Sequence, residues 1–338
     1  MSAITVSSLS KSFQTYDRRE GVWGSVKDLF SREYRTVHAV DSIDFSVERG
    51  ELIGYIGPNG AGKSTSIKML TGILKPTSGT VEVLGFRPFY DRKRYAQHIG
   101  VVFGQRTQLW WDIAVIESFR LLGQIYQVPS RSFDARLQRL TEILDLGSLL
   151  KTPVRKLSLG QRMRCDLAAS LLHEPAVLFL DEPTIGLDAM AKDGIRSFLR
   201  QINRDFGTTI ILTTHDLKEI EELCRRIIVL DKGKVLYDGE LSRVKAIPGL
   251  PRHIRIDFPG TAPLADIEAL FVGQATFERE GDRRVVGRYD PDILPTGELL
   301  RTLLSRFEVG EVSVAEPDIE QVIMKLYRDG LNEGALRV

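Results

Sequence analysis

The sequence predicts two domains: an α/β domain on a largely parallel sheet, then a small α+β domain of ferredoxin-like type. Three observations carry this reading. The runs Leu52–Ile56, 177–180 and 210–212 are apolar without alternation, as strands covered on both faces of a parallel sheet are. They are separated by stretches whose apolar residues recur at helical spacing. After about residue 247 the prolines at 248, 251, 259 and 263, with nearby glycines, mark a boundary, and a new pattern begins.

The first domain is expected over residues 1–247. Ile4 and Val6, then Ile43, Phe45 and Val47, alternate as strands before the turn signal Arg49-Gly50. Between them, Val22, Trp23, Val26, Leu29 and Phe30 form an apolar stripe among Arg18, Arg19, Lys27, Arg32 and Arg35, an amphipathic insertion at about 17–36. The strand LIGYI leads through a glycine-rich turn into a helix through Ile67, Leu70 and Leu74, which Pro76 ends. Val115, Ile116, Phe119 and Leu122, followed by Leu137, Leu140, Ile143 and Leu144, predict a helical subdomain at about 106–157.

The second domain, 248–338, reads βαββαβα. Ile254, Ile256 and Phe258 alternate, Ile267, Leu270 and Phe271 suit a helix, and strands fall around Phe277 and Val285. Leu299, Leu300, Leu303, Leu304 and Phe307 form a helical stripe. Val312 and Val314 then alternate, and Ile319, Val322, Ile323, Leu326 and Tyr327 make a last helix. This order is that of a ferredoxin-like sandwich.

The 338 residues carry 46 basic and 45 acidic side chains, a net charge of +1 that supplies no basic footprint for nucleic acid. Two isolated cysteines, Cys165 and Cys224, suggest neither a disulfide framework nor a zinc site and fit a reducing compartment. The N-terminus lacks the pattern of a signal peptide, and no run approaches the roughly 18 to 20 apolar residues that cross a bilayer. A role at a membrane therefore requires a partner that supplies the span.

Gly57-Pro58-Asn59-Gly60-Ala61-Gly62-Lys63-Ser64 satisfies GxxxxGKS between a predicted strand and a predicted helix, the context that a phosphate-binding loop requires. Glycines let backbone amides converge on phosphate oxygens, and the helix N-terminus adds positive potential. Lys63 reaches the terminal phosphates, Ser64 is a candidate Mg²⁺ ligand, and Thr65 follows as the last residue of the binding segment. AVLFLDE is an apolar strand ending in Asp181 and Glu182. The first carboxylate suits Mg²⁺ held through water, and the second suits a general base for the attacking water.

Ser158 and Gln161 in LSLGQ have the spacing of a capping box. Lying between the two phosphate-site motifs, this string resembles the signature of the nucleotide-binding subunits of ATP-binding cassette (ABC) transporters. The resemblance covers about Ile4 to Leu241. It implies a P-loop NTPase cassette with a RecA-like core, in which Ser158, Leu159, Gly160 and Gln161 bind the γ-phosphate held by an opposite subunit. It further implies that Gln105 is the glutamine-loop residue, which senses Mg²⁺ and couples to the membrane partner, that His215 in LTTHD is the switch histidine, and that Asp188 is the D-loop aspartate. Ile185 and Gly186 stand where that loop usually has small residues, which leaves its neighbouring contacts open. An aromatic of the first strand region stacks on adenine in the family; Phe13 matches best and Tyr16 competes.

The resemblance thus implies an ATPase with ATP and Mg²⁺ as cofactors. It would pair with a second copy or a close paralogue and drive ABC-2 type permease subunits as a peripheral protein at the cytoplasmic face of the inner (plasma) membrane. An importer motor is the alternative, although sugar-importer motors often end in an all-β domain and this tail has three helical stripes. A soluble ABC ATPase acting on ribosomes or DNA would carry two cassettes or a long coiled-coil insertion, and this sequence has neither.

The stripe at 22–30 either lies at the membrane interface or permease, or packs on its own cassette. Replacing Trp23 and Phe30 by Ser separates the two. An interfacial stripe leaves the isolated subunit's melting temperature and basal ATPase unchanged while transport falls. A core stripe lowers the melting temperature.

Overall fold

The computed structural model describes residues 2–16, 34–104, 106–245, 250–315 and 319–329. Contacts divide the chain into two units, Met1–Asp238 and Gly239–Val338.

The first unit holds two sheets. Strand β1 (Ser2–Tyr16) pairs antiparallel with β2 (Tyr34–Glu48) and with β4 (Ser78–Val83), giving the order β2-β1-β4. The inward residues Ile4, Val6, Leu9, Ile43, Phe45 and Val47 are buried in one apolar cluster with Ile53, Tyr55 and Ile67. Residues 34–36 lie in β2, so the interruption between the strands ends earlier than the periodicity predicts; the stripe at 22–30 lies outside the described residues.

The second sheet runs β5-β6-β7-β3-β8-β9, with β3 (Leu52–Ile56), β5 (Ile99–Phe103), β6 (Val177–Asp181), β7 (Thr209–Thr213), β8 (Arg226–Asp231) and β9 (Lys234–Glu240). From β5 to β8 every neighbouring pair is parallel. All five residues of β7 are buried, as the absence of alternation in its sequence requires. Parallel pairing brings the carboxyl ends of β3, β6 and β7 to one edge, the place where open α/β sheets bind ligands.

Helix α1 (Lys63–Leu70) leaves that edge after β3. It stops at Leu70, one turn before the residue that periodicity suggests, because Thr71 caps it and the amides of Ile73 and Leu74 turn back onto the Lys68 carbonyl. After the short α2 (Arg92–Tyr95), the helical subdomain contains α3 (Val115–Ile125) and α4 (Ser130–Ile143), followed by α5 (Leu159–Leu171). Helix α6 (Ala189–Phe206) precedes β7, and α7 (Leu217–Leu223) precedes β8.

The second unit begins at the last two residues of β9 and continues into α8 (Leu241–Lys245), ahead of the proline cluster. Its sheet is built from β10 (Arg252–Asp257), β11 (Ala275–Arg279), β12 (Arg284–Tyr289) and β13 (Glu311–Ala315) in the order β11-β12-β10-β13, antiparallel throughout. With α9 (Leu264–Leu270), α10 (Thr296–Arg306) and α11 (Ile319–Asp329), the connectivity is the βαββαβα that the sequence predicts, in ferredoxin-like strand order. Ile254, Ile256, Phe277, Val285, Leu299 and Leu303 form its core.

Candidate functional site

The site is assembled at the carboxyl edge of the parallel sheet. The exposed turn from Pro58 to Gly60 follows β3, and Gly62 caps α1 in the left-handed region at φ 105°. A side chain at Gly62 would also collide with the Ala39 carbonyl, so both backbone shape and crowding call for glycine there. No side chain caps α1, and its first amides are left to the loop. The buried Lys63 Nζ donates to the carbonyls of Gly57 at 2.6 Å and Pro58 at 3.2 Å. Burial lowers its pKa from the ordinary lysine value, and the carboxylates of Glu182 and Asp181 oppose that shift.

Asp181, the last residue of β6, faces that lysine. Its Oδ1 accepts from Thr213 Oγ1 at 2.7 Å and lies 3.4 Å from Ser64 Oγ. Three strand-end or helix-start residues thus present oxygen at one point. Ser64 and Asp181 form the hard oxygen donor set that suits Mg²⁺. Among the described residues no cluster of three or more His, Cys, Asp or Glu offers another metal site.

Glu182 sits one residue further at φ 57°, a left-handed conformation costly for a residue with a side chain. It is held there by two bonds from its amide, to the Thr213 carbonyl at 3.0 Å and to Thr213 Oγ1 at 3.1 Å. The turn aims its carboxylate away from Asp181's partners and at His215, with Oε1 2.5 Å from Nε2. The next loop is pinned by Thr184 Oγ1 donating to the buried Glu219 at 2.9 Å, and the histidine's loop by a 2.8 Å Lys192–Asp216 pair. Burial raises the Glu219 carboxyl above the usual range.

The remaining predicted residues lie around this centre. Ser158 and Gln161 cap each other reciprocally at the start of α5, the capping box that the spacing predicts. Gly160 packs close to Ala191 and Leu187, and Leu159 to Gly186, so the turn that opens α5 lies against the loop that leads into α6. Asp188 caps α6, accepting from the Ala191 amide at 2.8 Å. Phe13 is 40% exposed on β1, opposite Val37, with Lys11 Nζ 5.2 Å from its ring centroid. Tyr16 ends the same strand, paired with Tyr34. Gln105 lies outside the described residues, between Gly104 and Arg106.

The sequence reading passed over two contributors. Thr213 orders both carboxylate residues from the end of β7; its signal is a polar residue closing an apolar strand of a parallel sheet. Asp166, 3% exposed on α5, accepts from Thr107 Oγ1 at 2.8 Å and from the Gln108 amide at 3.0 Å. The sequence gives no sign that this helical position faces a loop 58 residues earlier.

With this geometry in place, comparison with known proteins is decisive. The family profile described as ABC transporter matches residues 40–185. The daunorubicin resistance ATP-binding protein DrrA3 of Streptomyces coeruleorubidus is 38% identical over 222 residues, covering 66% of this chain and 70% of that protein. The chain belongs to the ABC transporter ATP-binding protein family.

Other relatives of the cassette include the methionine import ATP-binding protein MetN of Geobacillus kaustophilus, 34% identical over 67% of each chain. The probable multidrug ABC transporter ATP-binding protein YbhF of Escherichia coli is 37% identical over 64% of this chain, which spans only 37% of that protein's length. Among solved structures, cbiO1 from Clostridium perfringens, part of the ABC transporter complex cbiONQ, superimposes with a TM-score of 0.59 at 29% identity. That match covers 72% of this chain and 91% of cbiO1. These likenesses place the chain among ABC ATPase cassettes.

Burial pushes the carboxyl of Asp166 in this cassette up to about 6, against its hydrogen bonds from Thr107 and Gln108 and the charge of Arg162. A carboxyl whose folded pKa exceeds its unfolded value contributes stability below the unfolded value, and that contribution is lost as pH rises through about 6. Asp166→Asn is therefore expected to raise the melting temperature at pH 8. The gain should shrink to nothing between pH 6 and pH 4 in thermal melts across that range.

Proposed function

We propose that this chain is the ATP-hydrolysing motor subunit of an ABC-2 type exporter. In this reading it binds ATP in a head-to-tail dimer with a second copy or a close paralogue and drives separate permease subunits at the cytoplasmic face of the plasma membrane. The observation that carries the chemistry is the cluster of Lys63, Ser64, Asp181, Glu182, Thr213 and His215 at one sheet edge.

Lys63 and the free amides of α1 hold the phosphates of ATP. Ser64 and Asp181, with Gln105 on the family resemblance, would hold Mg²⁺, which when bound supplies charge neutralisation at the phosphates. Glu182 takes a proton from water while the water oxygen bonds to the γ-phosphorus. The bond from that phosphorus to the bridging oxygen breaks, and ADP carries away the electron pair. His215 orients the Glu182 carboxylate from its 2.5 Å contact and reaches the γ-phosphate side. Phe13 offers an exposed ring to adenine. The signature residues Ser158 to Gln161 complete the partner's site, with Asp188 beside them.

Two further features support the transport reading. Trp110 and Trp111 are 41% and 49% exposed at the start of the helical subdomain, and this adjacent pair of large rings offers a docking surface for a permease. No described helix is long and apolar enough to cross a membrane, which accords with a reading in which separate permease subunits supply the span. The names of DrrA3 and YbhF favour export and that of MetN favours import. The α+β second unit argues for the exporter assignment, with a dimerisation or regulatory role for that unit.

Glu182→Gln keeps the shape and loses the basicity, so ATP binding should persist while hydrolysis falls by two orders of magnitude or more, roughly. Size-exclusion chromatography with ATP and Mg²⁺ should then show a trapped dimer; turnover at the wild-type rate refutes the base assignment. Lys63→Ala removes a direct phosphate partner and should weaken ATP binding itself in a titration.

A further inference from the structure

The amino edge of the parallel sheet, opposite the edge that gathers Lys63, Asp181 and Glu182, carries a cavity that the ATPase reading leaves unused. It measures about 630 Å³, within the ~300–1,000 Å³ usual for small-molecule sites. The chain entering β6 and β7 lines it at Ala176 and Thr208. Three helices supply apolar walls: Leu140 and Ile143 of α4, Leu171 of α5, and Ile202 and Phe206 of α6. Leu140, Leu171 and Ile202 are buried, whereas the Phe206 ring is 40% exposed.

Hydrogen bonds build this place before any ligand arrives. Asn203 Nδ2 donates to the carbonyls of Gly50 at 2.8 Å and Thr208 at 2.9 Å, and the Gly50 amide donates to Thr209 Oγ1 at 2.9 Å. These bonds hold the Arg49-Gly50 turn at the end of α6. On α4, Arg136, Arg139, Leu140 and Ile143 recur at spacings of three and four and line the cavity from one helix face.

The charge around the cavity is one-sided, with three guanidiniums against the single carboxylate of Glu174. Arg136 is committed to Glu174 at 2.6 Å and to the Leu172 carbonyl at 3.0 Å. Arg49 and Arg139 are exposed, and among the described residues neither has an ion pair or a hydrogen bond. Arg139 lies over the Phe206 ring, 4.1 Å from its centroid, and Asp205, the acid that feels its charge, is bonded to Arg204 at 2.9 Å. In a chain of net charge +1, two uncommitted arginines beside one apolar cavity are a local excess that favours an anion.

We propose that this cavity binds a soluble medium-chain acyl carboxylate, its chain against the aliphatic walls and its carboxylate taken by Arg49 and Arg139. The guanidinium fork matches a carboxylate, and Leu140, Ile143, Leu171 and Ile202 match an aliphatic body. A neutral alcohol of equal length forgoes the charges, and a short acid forgoes the walls. The inference does not rest on the ATPase reading, because none of these residues belongs to the phosphate site.

The test is calorimetric titration of the full chain with decanoate, decanol and acetate, with and without ATP. Decanoate should bind saturably at one site per chain, with decanol and acetate each weaker by roughly tenfold or more. The double variant Arg49→Ala, Arg139→Ala should weaken decanoate at least about tenfold while its ATP affinity stays within about twofold. Ile143→Trp, which fills the cavity, should abolish decanoate binding; melting temperatures check that both variants fold, and if Ile143→Trp does not, the arginine pair decides. Absence of saturable decanoate binding, decanol as tight as decanoate, wild-type affinity in the arginine double variant, or simple competition between decanoate and ATP each overturns the proposal.

Discussion

The parallel alignment of β3, β6 and β7 is the constraint from which the chemistry follows. Because Ile53 pairs with Ile211 and Asp181 with Thr213, the strands end at one edge, where the last residues of β6 and β7 meet the start of the helix that follows β3. Ser64 arrives from the helix after β3, Asp181 from β6 and Thr213 from β7, and one carboxylate oxygen joins them. A shift of one residue in the pairing of β6 with β7 would turn Asp181 toward the opposite face of the sheet. Val177 to Leu180 and all of β7 are buried, so such a slip would also exchange the side chains packed on the two covered faces of the sheet.

Strain at Glu182 is the second consequence. The sheet ends at Asp181, yet the next side chain must point at His215 and not along the strand. The left-handed turn that achieves this is costly, and the two bonds from the Glu182 amide to Thr213 offset it. The same threonine therefore fixes the direction of both carboxylates, one through its hydroxyl as donor and the other through its hydroxyl and carbonyl as acceptors. That division of labour explains why a hydroxyl follows Ile210, Ile211 and Leu212 at the end of the strand.

Much of this could be read from the sequence because its signals are local. The phosphate loop needs glycines and a lysine in fixed order, and a capping box needs Ser158 and Gln161 three apart, so each announces itself within a few residues. The α+β second unit was legible for the same reason: its apolar period switches cleanly between two and 3.6. The end of α1 was less so, because a turn that bends Ile73 and Leu74 back to Lys68 keeps apolar residues near helical spacing after the helix has stopped. The roles of Thr213 and Asp166 were hidden for a different reason. Each acts on residues far away in the chain, and neither residue type is unusual where it stands.

That distinction bears on how the two halves of the cassette are joined. Motifs recognised locally are each a few residues long, but the links between them are tertiary. Thr184 to Glu219 ties the loop after Glu182 to α7, Lys192 to Asp216 ties α6 to the histidine's loop, and Asp166 to Thr107 and Gln108 ties the signature helix to the end of β5. Two of the three place a carboxylate in the interior, where burial raises the proton affinity of Glu219 and Asp166 alike. A chain selected for stability alone would have filled those positions with apolar side chains. Buried acids hold particular donors at particular distances, a geometric definition that apolar packing alone does not supply.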